Sequence, residues 1–117
     1  MGFAVKWDTN GTRPDVLREA YARKLLDYVA MDLKAPLEKY SVITGVDFNP
    51  AILKESMKLI TQSGIPYQFR TTYDKEVLTD DDIAAIRALT DEKHYRVQEC
   101  LPVAKEKAAL KVMNKEL

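Results

Sequence analysis

The stretch that decides the fold runs from Asp27 to Thr44 and reads DYVAMDLKAPLEKYSVIT. Its segment Tyr28–Met31 is short, apolar and partly β-branched, which is typical of a buried strand. Asp32 stands where that strand should end, and Lys34 follows two residues later, on the same side of an extended chain. Because α/β proteins place their chemistry at the carboxyl ends of buried strands, the stretch predicts a strand followed by a functional loop.

Three other segments also have the pattern of strands, with alternating apolar and polar residues. They are Phe3–Asp8, Pro66–Thr72 and His94–Glu99. With the strand that ends at Asp32, they predict four strands separated by segments long enough for a helix or a loop.

Helical segments are predicted between and after these strands from apolar spacing and start signals. Thr12 is the candidate cap of the first helix, Asn49-Pro50 starts the second, and Thr79 with Asp82 forms a capping box for the third. Pro36 predicts a loop that continues to about Phe48. The apolar stripes of these helices are Val16, Leu17, Ala20, Tyr21 and Leu25, then Ile52, Leu53, Met57 and Ile60, then Ile83, Ile86 and Leu89. A last helix is predicted over Val103–Leu117.

This order of elements predicts a single α/β domain over residues 1–117, with a parallel sheet and right-handed crossovers. Three strands have one apolar and one polar face, so we expect the helices on the outer face only, as in a partial parallel β/α barrel of about four strands. A complete eight-strand barrel would need ~250 residues. The polar face should carry Lys6, Asp8, Gln68, Arg70, Arg96 and Gln98.

Composition excludes several classes of function. Eighteen Lys and Arg against eighteen Asp and Glu give a formal charge of zero, so no basic footprint indicates nucleic acid binding. No apolar run approaches the ~20 residues of a membrane span, and we see no signal-peptide pattern. The single cysteine excludes an internal disulfide and fits a reducing, cytoplasmic setting.

Three segments resemble a known family. VKWDTNGTRPDVL at 5–17, LDYVAMDLKAPLEKYSVITGV at 26–46 and YQFRTT at 67–72 closely resemble radical S-adenosylmethionine activating proteins. The nearest are the activating proteins of anaerobic ribonucleoside-triphosphate reductase, and behind them the pyruvate formate-lyase activating enzymes. The resemblance covers roughly residues 2 to 100.

The resemblance implies a partial six-strand β/α barrel and an oxidoreductase that activates a glycyl radical enzyme. Family members carry a Cys-X3-Cys-X2-Cys loop for a four-iron four-sulfur cluster and a Gly-Gly-Glu motif, and this chain holds neither. A cluster that needs three thiolates does not fit Cys100 alone. We therefore expect this chain to be the carboxyl-terminal part of a truncated activase, containing the last four of its six strands. It should be inactive by itself and should bind S-adenosylmethionine weakly or not at all.

Asp8 and Asp32 should come together, because they end adjacent parallel strands. Such a pair of carboxylates needs a shared proton, a cation or Lys34 nearby. The resemblance implies that Asp8 and Asp32, with Thr9 and the Met31 carbonyl, form a candidate site for a monovalent cation beside the cofactor's carboxylate. It also implies that Lys34 binds the glycyl-loop substrate. The implied S-adenosylmethionine-binding positions are Asp8, Thr9, Asn10, Asp32, Arg70, Thr72 and Gln98.

The sequence also allows other interpretations of these residues. Asp8 and Asp32 can instead be strand-end caps paired to Lys6 and Lys34. Tyr73–Glu76 replaces the family's Val-Val-Pro-Gly, and Cys100-Leu101 replaces its aromatic and basic residues, so the contacts of Thr72 and Gln98 are weakly supported.

Two rival functions come from other classes. The Asp-X-Lys motif also resembles orotidine-monophosphate decarboxylase, but that motif needs an aspartate where this chain has Leu37. The second rival is a non-catalytic half-barrel that binds a partner.

The single residues have plain interpretations. His94 should be exposed, Cys100 should be a small packed hydrophobe, and Trp7, Tyr67 and Phe69 should lie beneath the helices. An uncovered Phe3–Asp8 edge predicts self-association, most simply a homodimer.

Overall fold

A computed structural model describes residues 4–47 and 49–99. Four strands alternate with helices along the chain. The strands are β1 (Lys6–Thr9), β2 (Tyr28–Asp32), β3 (Tyr67–Tyr73) and β4 (Tyr95–Glu99), and the helices are α1 (Pro14–Ala22), α2 (Tyr40–Thr44), α3 (Pro50–Gln62) and α4 (Asp80–Arg87), with a 3₁₀ turn at Leu37–Lys39.

The four strands form one parallel sheet in the order β1-β2-β3-β4. Each strand pairs with the next strand in the sequence, so every connection is a crossover between neighbours that contains a helix. This confirms the predicted α/β fold with a parallel sheet.

The core lies on one face of the sheet. Side chains at alternate positions of the strands, among them Val29, Met31 and Phe69, pack with the buried faces of α1, α3 and α4. The helical contributions are Leu17 and Ala20, Leu53, Met57 and Ile60, and Ile83 and Ile86. Trp7 and Tyr67 pack against this cluster and Phe69 lies within it, as the sequence predicts.

The opposite face of the sheet carries the intervening residues. Lys6 and Asp8 on β1 are exposed, and Asp32 and Arg70 are half-buried. The two-residue period of a strand thus separates an apolar face under the helices from a polar, open face.

Two helix starts agree with their sequence signals. The Asn49 side chain accepts a hydrogen bond from the Ala51 amide at 3.0 Å, with Pro50 in the first turn. Thr79 and Asp82 form the predicted capping box at the start of α4.

Thr12 does not cap α1, so that prediction is wrong. Arg13 occupies the cap position without a side-chain hydrogen bond, and Pro14 opens the helix. The Thr12 hydroxyl instead donates to Oδ1 of Asn10 at 2.7 Å.

The loop predicted after Pro36 is also wrong. Pro36 lies at the start of the 3₁₀ turn, and α2 follows directly until Gly45, whose φ of 73° ends it. Proline has no backbone N–H to donate. The first turn of a helix does not use its N–H groups, so proline can begin a helix, although it disrupts the interior of one.

Smaller corrections concern single residues. Leu25 lies beyond α1 and is 54% exposed, while Leu26 is buried in its place. Leu89 lies beyond α4 and is partly exposed. His94 is half-buried rather than exposed, because its ring stacks on Tyr67 with the ring centroids 4.1 Å apart.

The strand bounds shift slightly from their predicted positions. β1 begins at Lys6, although Val5 still bonds to the segment before β2 through its carbonyl and amide. Cys100 and the predicted helix Val103–Leu117 lie outside the described residues. Among the helices of the described ranges, none has the length and apolar character needed to cross a membrane.

Candidate functional site

One guanidinium joins two carboxylates on the polar face of the sheet. Nε of Arg70 donates to Oδ1 of Asp32 at 2.9 Å, and Nη2 of Arg70 lies 3.2 Å from Oδ1 of Asp8. The three residues come from β3, β2 and β1. We call them the carboxylate–arginine cluster. Asp8 and Asp32 thus converge, as the strand order predicts.

The register of the sheet explains this convergence. Asp32 is the direct partner of Arg70, while Asp8 lies opposite Ala30. All of these residues point to the polar face, because they share one parity of the strand repeat. Ala30 carries only a methyl group, which leaves the guanidinium room to extend from β3 across β2 towards β1.

The cluster is open to solvent and carries two negative charges against one positive charge. The side chains of Arg70, Asp32 and Asp8 are 30%, 45% and 59% exposed. The hydrogen bond to Asp32 raises the pKa of Arg70, and the charges of Asp32 and Asp8 act in the same direction. The guanidinium therefore stays charged at every accessible pH, and a ligand can approach it from the open face.

The alternative pairing of the carboxylates with lysines is wrong. Lys6 places its ammonium 5.7 Å from the centre of the Tyr28 ring. Within residues 4–47 and 49–99, no ion pair forms between Lys34 and a carboxylate. Arg70 serves as the counter-ion to Asp8 and Asp32.

The backbone immediately before Lys34 is held by hydrogen bonds to both polar groups of Leu33. The Leu33 amide donates to the Arg70 carbonyl at 2.8 Å, and the Thr71 hydroxyl donates to the Leu33 carbonyl at 2.7 Å. The hydroxyl of Tyr95 donates to that of Thr71 at 2.6 Å, which places the threonine hydroxyl in a buried chain of hydrogen bonds.

Tyr40 supports Lys34 from the other side. The Lys34 amide donates to the Tyr40 hydroxyl at 3.0 Å, and the ring of Tyr40 is buried. Burial raises the pKa of this phenol, which keeps it neutral. Because these hydrogen bonds fix the backbone of Lys34, the Cα atom from which its exposed side chain extends has a defined position.

A pocket of about 370 Å³ lies beside this loop, at the carboxyl ends of β1 and β2. Two of the predicted site residues, Asn10 and Lys34, line this pocket. In Asn10, Oδ1 accepts hydrogen bonds from the backbone amide and the hydroxyl of Thr12, and the NH₂ of its side chain donates to no residue of the described ranges. The other lining residues are Thr12, Tyr40, Thr44, Val46 and Ile52.

The turn after β1 is packed against the core at Gly11. A Cβ at this position would lie 2.2 Å from Cε of Met31, and the backbone φ is 75°. The hydroxyl of Ser56, which is buried in α3, donates to the Gly11 carbonyl at 2.7 Å. These contacts fix the turn that connects Thr9 and Asn10 to α1.

The remaining predicted site residues do not join the cluster. The Thr9 hydroxyl accepts a hydrogen bond from the Gly11 amide at 3.1 Å, and Thr9 has the same strand parity as Trp7, on the helix side. Thr72 and Gln98 are register partners on β3 and β4 and are both exposed. Neither makes a side-chain hydrogen bond with a described residue of the cluster.

One interaction near the site has no signal in the sequence spacing. Lys39 donates to Oδ1 of Asp82 at 2.8 Å, although the residues are 43 positions apart. It ties the segment after Lys34 to the start of α4. The capping box identifies Asp82, but nothing in the sequence indicates Lys39 as its partner.

The described ranges hold no set of three or more His, Cys, Asp or Glu side chains grouped as metal ligands. The carboxylate–arginine cluster contains only two such side chains, Asp8 and Asp32.

The chain is similar to a protein of Methanocaldococcus jannaschii that bears the name "Putative glycyl-radical enzyme activating enzyme". The two sequences are 36% identical over 107 residues, which cover 86% of this chain and 44% of the relative. This chain thus spans less than half of the relative's length. No protein-family profile matches the chain, and no solved structure matches it significantly.

Proposed function

We propose that this chain is the carboxyl-terminal portion of a radical S-adenosylmethionine activase for a glycyl radical enzyme, of the type that serves anaerobic ribonucleotide reductase. The similarity to an activating enzyme over most of this chain and under half of the relative supports both the class and the idea of a portion. The consecutive order of four parallel strands, with the core on one face, suits a segment of a β/α barrel.

One observation carries the proposal. Asp8 and Asp32, at the carboxyl ends of β1 and β2, both meet Arg70 from the middle of β3, on a face that no described helix covers. Charged residues at these ends of parallel strands are the usual place of a barrel's site. All three belong to the segments that resemble the activating proteins.

The residues have different roles in this proposal. Asp8, Thr9, Asn10, Asp32, Arg70, Thr72 and Gln98 are the candidate contacts of S-adenosylmethionine. Lys34 extends from its fixed backbone towards the glycyl loop of the partner enzyme. When bound, S-adenosylmethionine supplies the radical chemistry of the family, and the residues of this chain bind it and orient it.

The four-iron four-sulfur cluster of the family does not fit the residues of this chain. The cluster takes at least three thiolates from its protein, and the sequence contains one cysteine. We therefore propose no reaction step through a cluster in this chain and expect no activase activity from the chain by itself.

A second candidate is a non-catalytic half-barrel that binds a partner protein. The open polar face favours it, since that face is not covered by the described helices. Self-association through the β1 edge stays a prediction for sedimentation to test.

The coding sequence upstream of Met1 distinguishes the two candidates. An activase portion predicts a nearby segment that encodes Cys-X3-Cys-X2-Cys, either in frame or interrupted by a stop codon. A binding module predicts no such segment, and its absence from the upstream region would contradict the proposal.

A further inference from the structure

The side chains that the family resemblance assigns to a monovalent cation, those of Asp8, Asp32 and Thr9, are already engaged. Asp8 and Asp32 each give an oxygen to the guanidinium of Arg70. The hydroxyl of Thr9 accepts from the Gly11 amide, and its side chain has the strand parity of the helix side. A cation held by both carboxylates does not fit this arrangement.

We propose that Arg70 is the permanent cation of this site and takes the place of a bound metal ion between Asp8 and Asp32. The inference deepens the proposed function, on which its biological meaning rests, but it follows from the geometry of the carboxylate–arginine cluster alone.

Geometry supports the replacement. A cation coordinated by both carboxylates must lie in direct contact with an oxygen of each of them. The region between Asp8 and Asp32 is occupied by Nε and Nη2 of Arg70, at 2.9 and 3.2 Å from the two oxygens. An added ion there would lie in direct contact with the positive guanidinium of Arg70, and the two like charges would repel each other.

A guanidinium also differs from an ion in how it is supplied. A bound ion dissociates when the concentration of its salt is low, whereas Arg70 is part of β3 and is present at any salt concentration. Its planar fork suits two carboxylates at once, which a lysine would not match. The charge balance of this site should therefore be independent of the type of salt.

The test compares thermal unfolding of the chain in sodium, potassium and tetramethylammonium chlorides at equal ionic strength. For the wild type we expect the same melting temperature in all three salts. Arg70→Met removes the charge and leaves the carboxylates facing one another. We expect this variant to melt about 4–8 °C higher in sodium or potassium than in tetramethylammonium, if the ion is in roughly tenfold excess over its dissociation constant.

Arg96→Met is the matched control. Arg96 is the register partner of Arg70 on β4, is exposed, and forms no ion pair with a residue of the described ranges. Its loss should leave the response independent of the type of salt. Asp8→Asn combined with Arg70→Met should abolish the effect of sodium.

Two results would overturn the proposal. One is a sodium- or potassium-specific rise in the melting temperature of the wild type, because a cation would then bind beside Arg70 or displace it. The other is a folded Arg70→Met variant with no preference among the salts. If that variant fails to fold, the line width of the sodium-23 resonance is compared between the wild type and Asp8→Asn. Equal line widths would support the proposal, and a broader resonance with the wild type would overturn it. None of these measurements uses S-adenosylmethionine, so the proposal can fail while the proposed function stands.

Discussion

Arg70 and Asp32 are direct partners in the register of β3 and β2, and Nε of Arg70 donates to Oδ1 of Asp32 at 2.9 Å. This bond lies on the polar face of the sheet, between the carboxyl end of β2 and the middle of β3. It sets the charge of the candidate site and links the two segments in which the site residues are concentrated.

A double-mutant cycle with Arg70→Met and Asp32→Asn should show coupling between these residues. Both side chains are about a third to a half exposed, so solvent weakens the ion pair. We expect a coupling of about 0.5–1 kcal/mol in the free energy of unfolding, measured by urea denaturation. Arg18 with Glu55 forms a more exposed pair and is the control, for which a smaller coupling is expected. A coupling at Arg70 no larger than this control would show that the pair is incidental.

Gly11→Ala should destabilise the chain more than Gly45→Ala. Both glycines have a φ near 75°, so both substitutions place alanine in a conformation that costs about 1–2 kcal/mol. Only at Gly11 does the new Cβ meet Met31, and overpacking there adds about 1 kcal/mol. Urea denaturation measures both variants. Equal losses would mean that the core accommodates the new methyl group without cost.

Asp82 should make stability depend on pH in acid. The hydrogen bond from Lys39 lowers the pKa of this carboxyl below its ordinary value of 3.8, and the Thr79 amide acts in the same direction. A lowered pKa means that the unfolded chain binds more protons than the native chain. The contribution is therefore complete above the ordinary value and is lost as the pH falls through the native pKa.

Urea denaturation between acidic and neutral pH measures this contribution. Asp82→Asn should flatten the acid limb of the stability curve, and Lys39→Met should flatten it in part. Asp81→Asn, in the same turn but outside the capping box, is the control. An acid limb unchanged by Asp82→Asn would contradict the assignment.

Anaerobic reconstitution with iron and sulfide should leave the chain without an iron–sulfur cluster. The reason is the single cysteine, since a cluster takes at least three thiolates from one site. Iron analysis and visible absorbance provide the measurement, with Cys100→Ser as the control. Stoichiometric cluster in the wild type and in Cys100→Ser would refute this account. A cluster lost in Cys100→Ser would instead be shared between chains.

Much of the fold follows from patterns in the sequence. The two-residue alternation in β3 and β4 identifies both strands and assigns Arg70 and Gln98 to the polar face. The order of elements then predicts a parallel sheet, and with it the convergence of Asp8 and Asp32. These predictions succeed because parity and strand direction are local or topological properties.

The interactions that the sequence did not indicate depend on register and on long-range packing. Arg70 reaches Asp8 because β2 aligns Ala30 with Asp8 and Asp32 with Arg70, and no spacing in the chain encodes that alignment. Lys39 bonds to Asp82 across 43 residues because tertiary packing brings the 3₁₀ turn after β2 to the start of α4. The sequence does not indicate the helix after Pro36, because proline can either begin a helix or interrupt one.

The most direct test of the central claim is a titration of the chain with S-adenosylmethionine followed by NMR. Of the two expectations, weak binding or none, the convergence of Asp8, Asp32 and Arg70 favours weak binding, with a dissociation constant of roughly 1 mM, that shifts the amides of residues 8–10 and 32–34 in a saturable manner. Asp32→Asn should weaken it about tenfold, since it removes a charge-assisted contact, while Asp47→Asn, at an exposed position outside the site, should not. Saturable shifts at these two strand ends support the account. Their absence at millimolar cofactor, or shifts confined to another part of the chain, would contradict it.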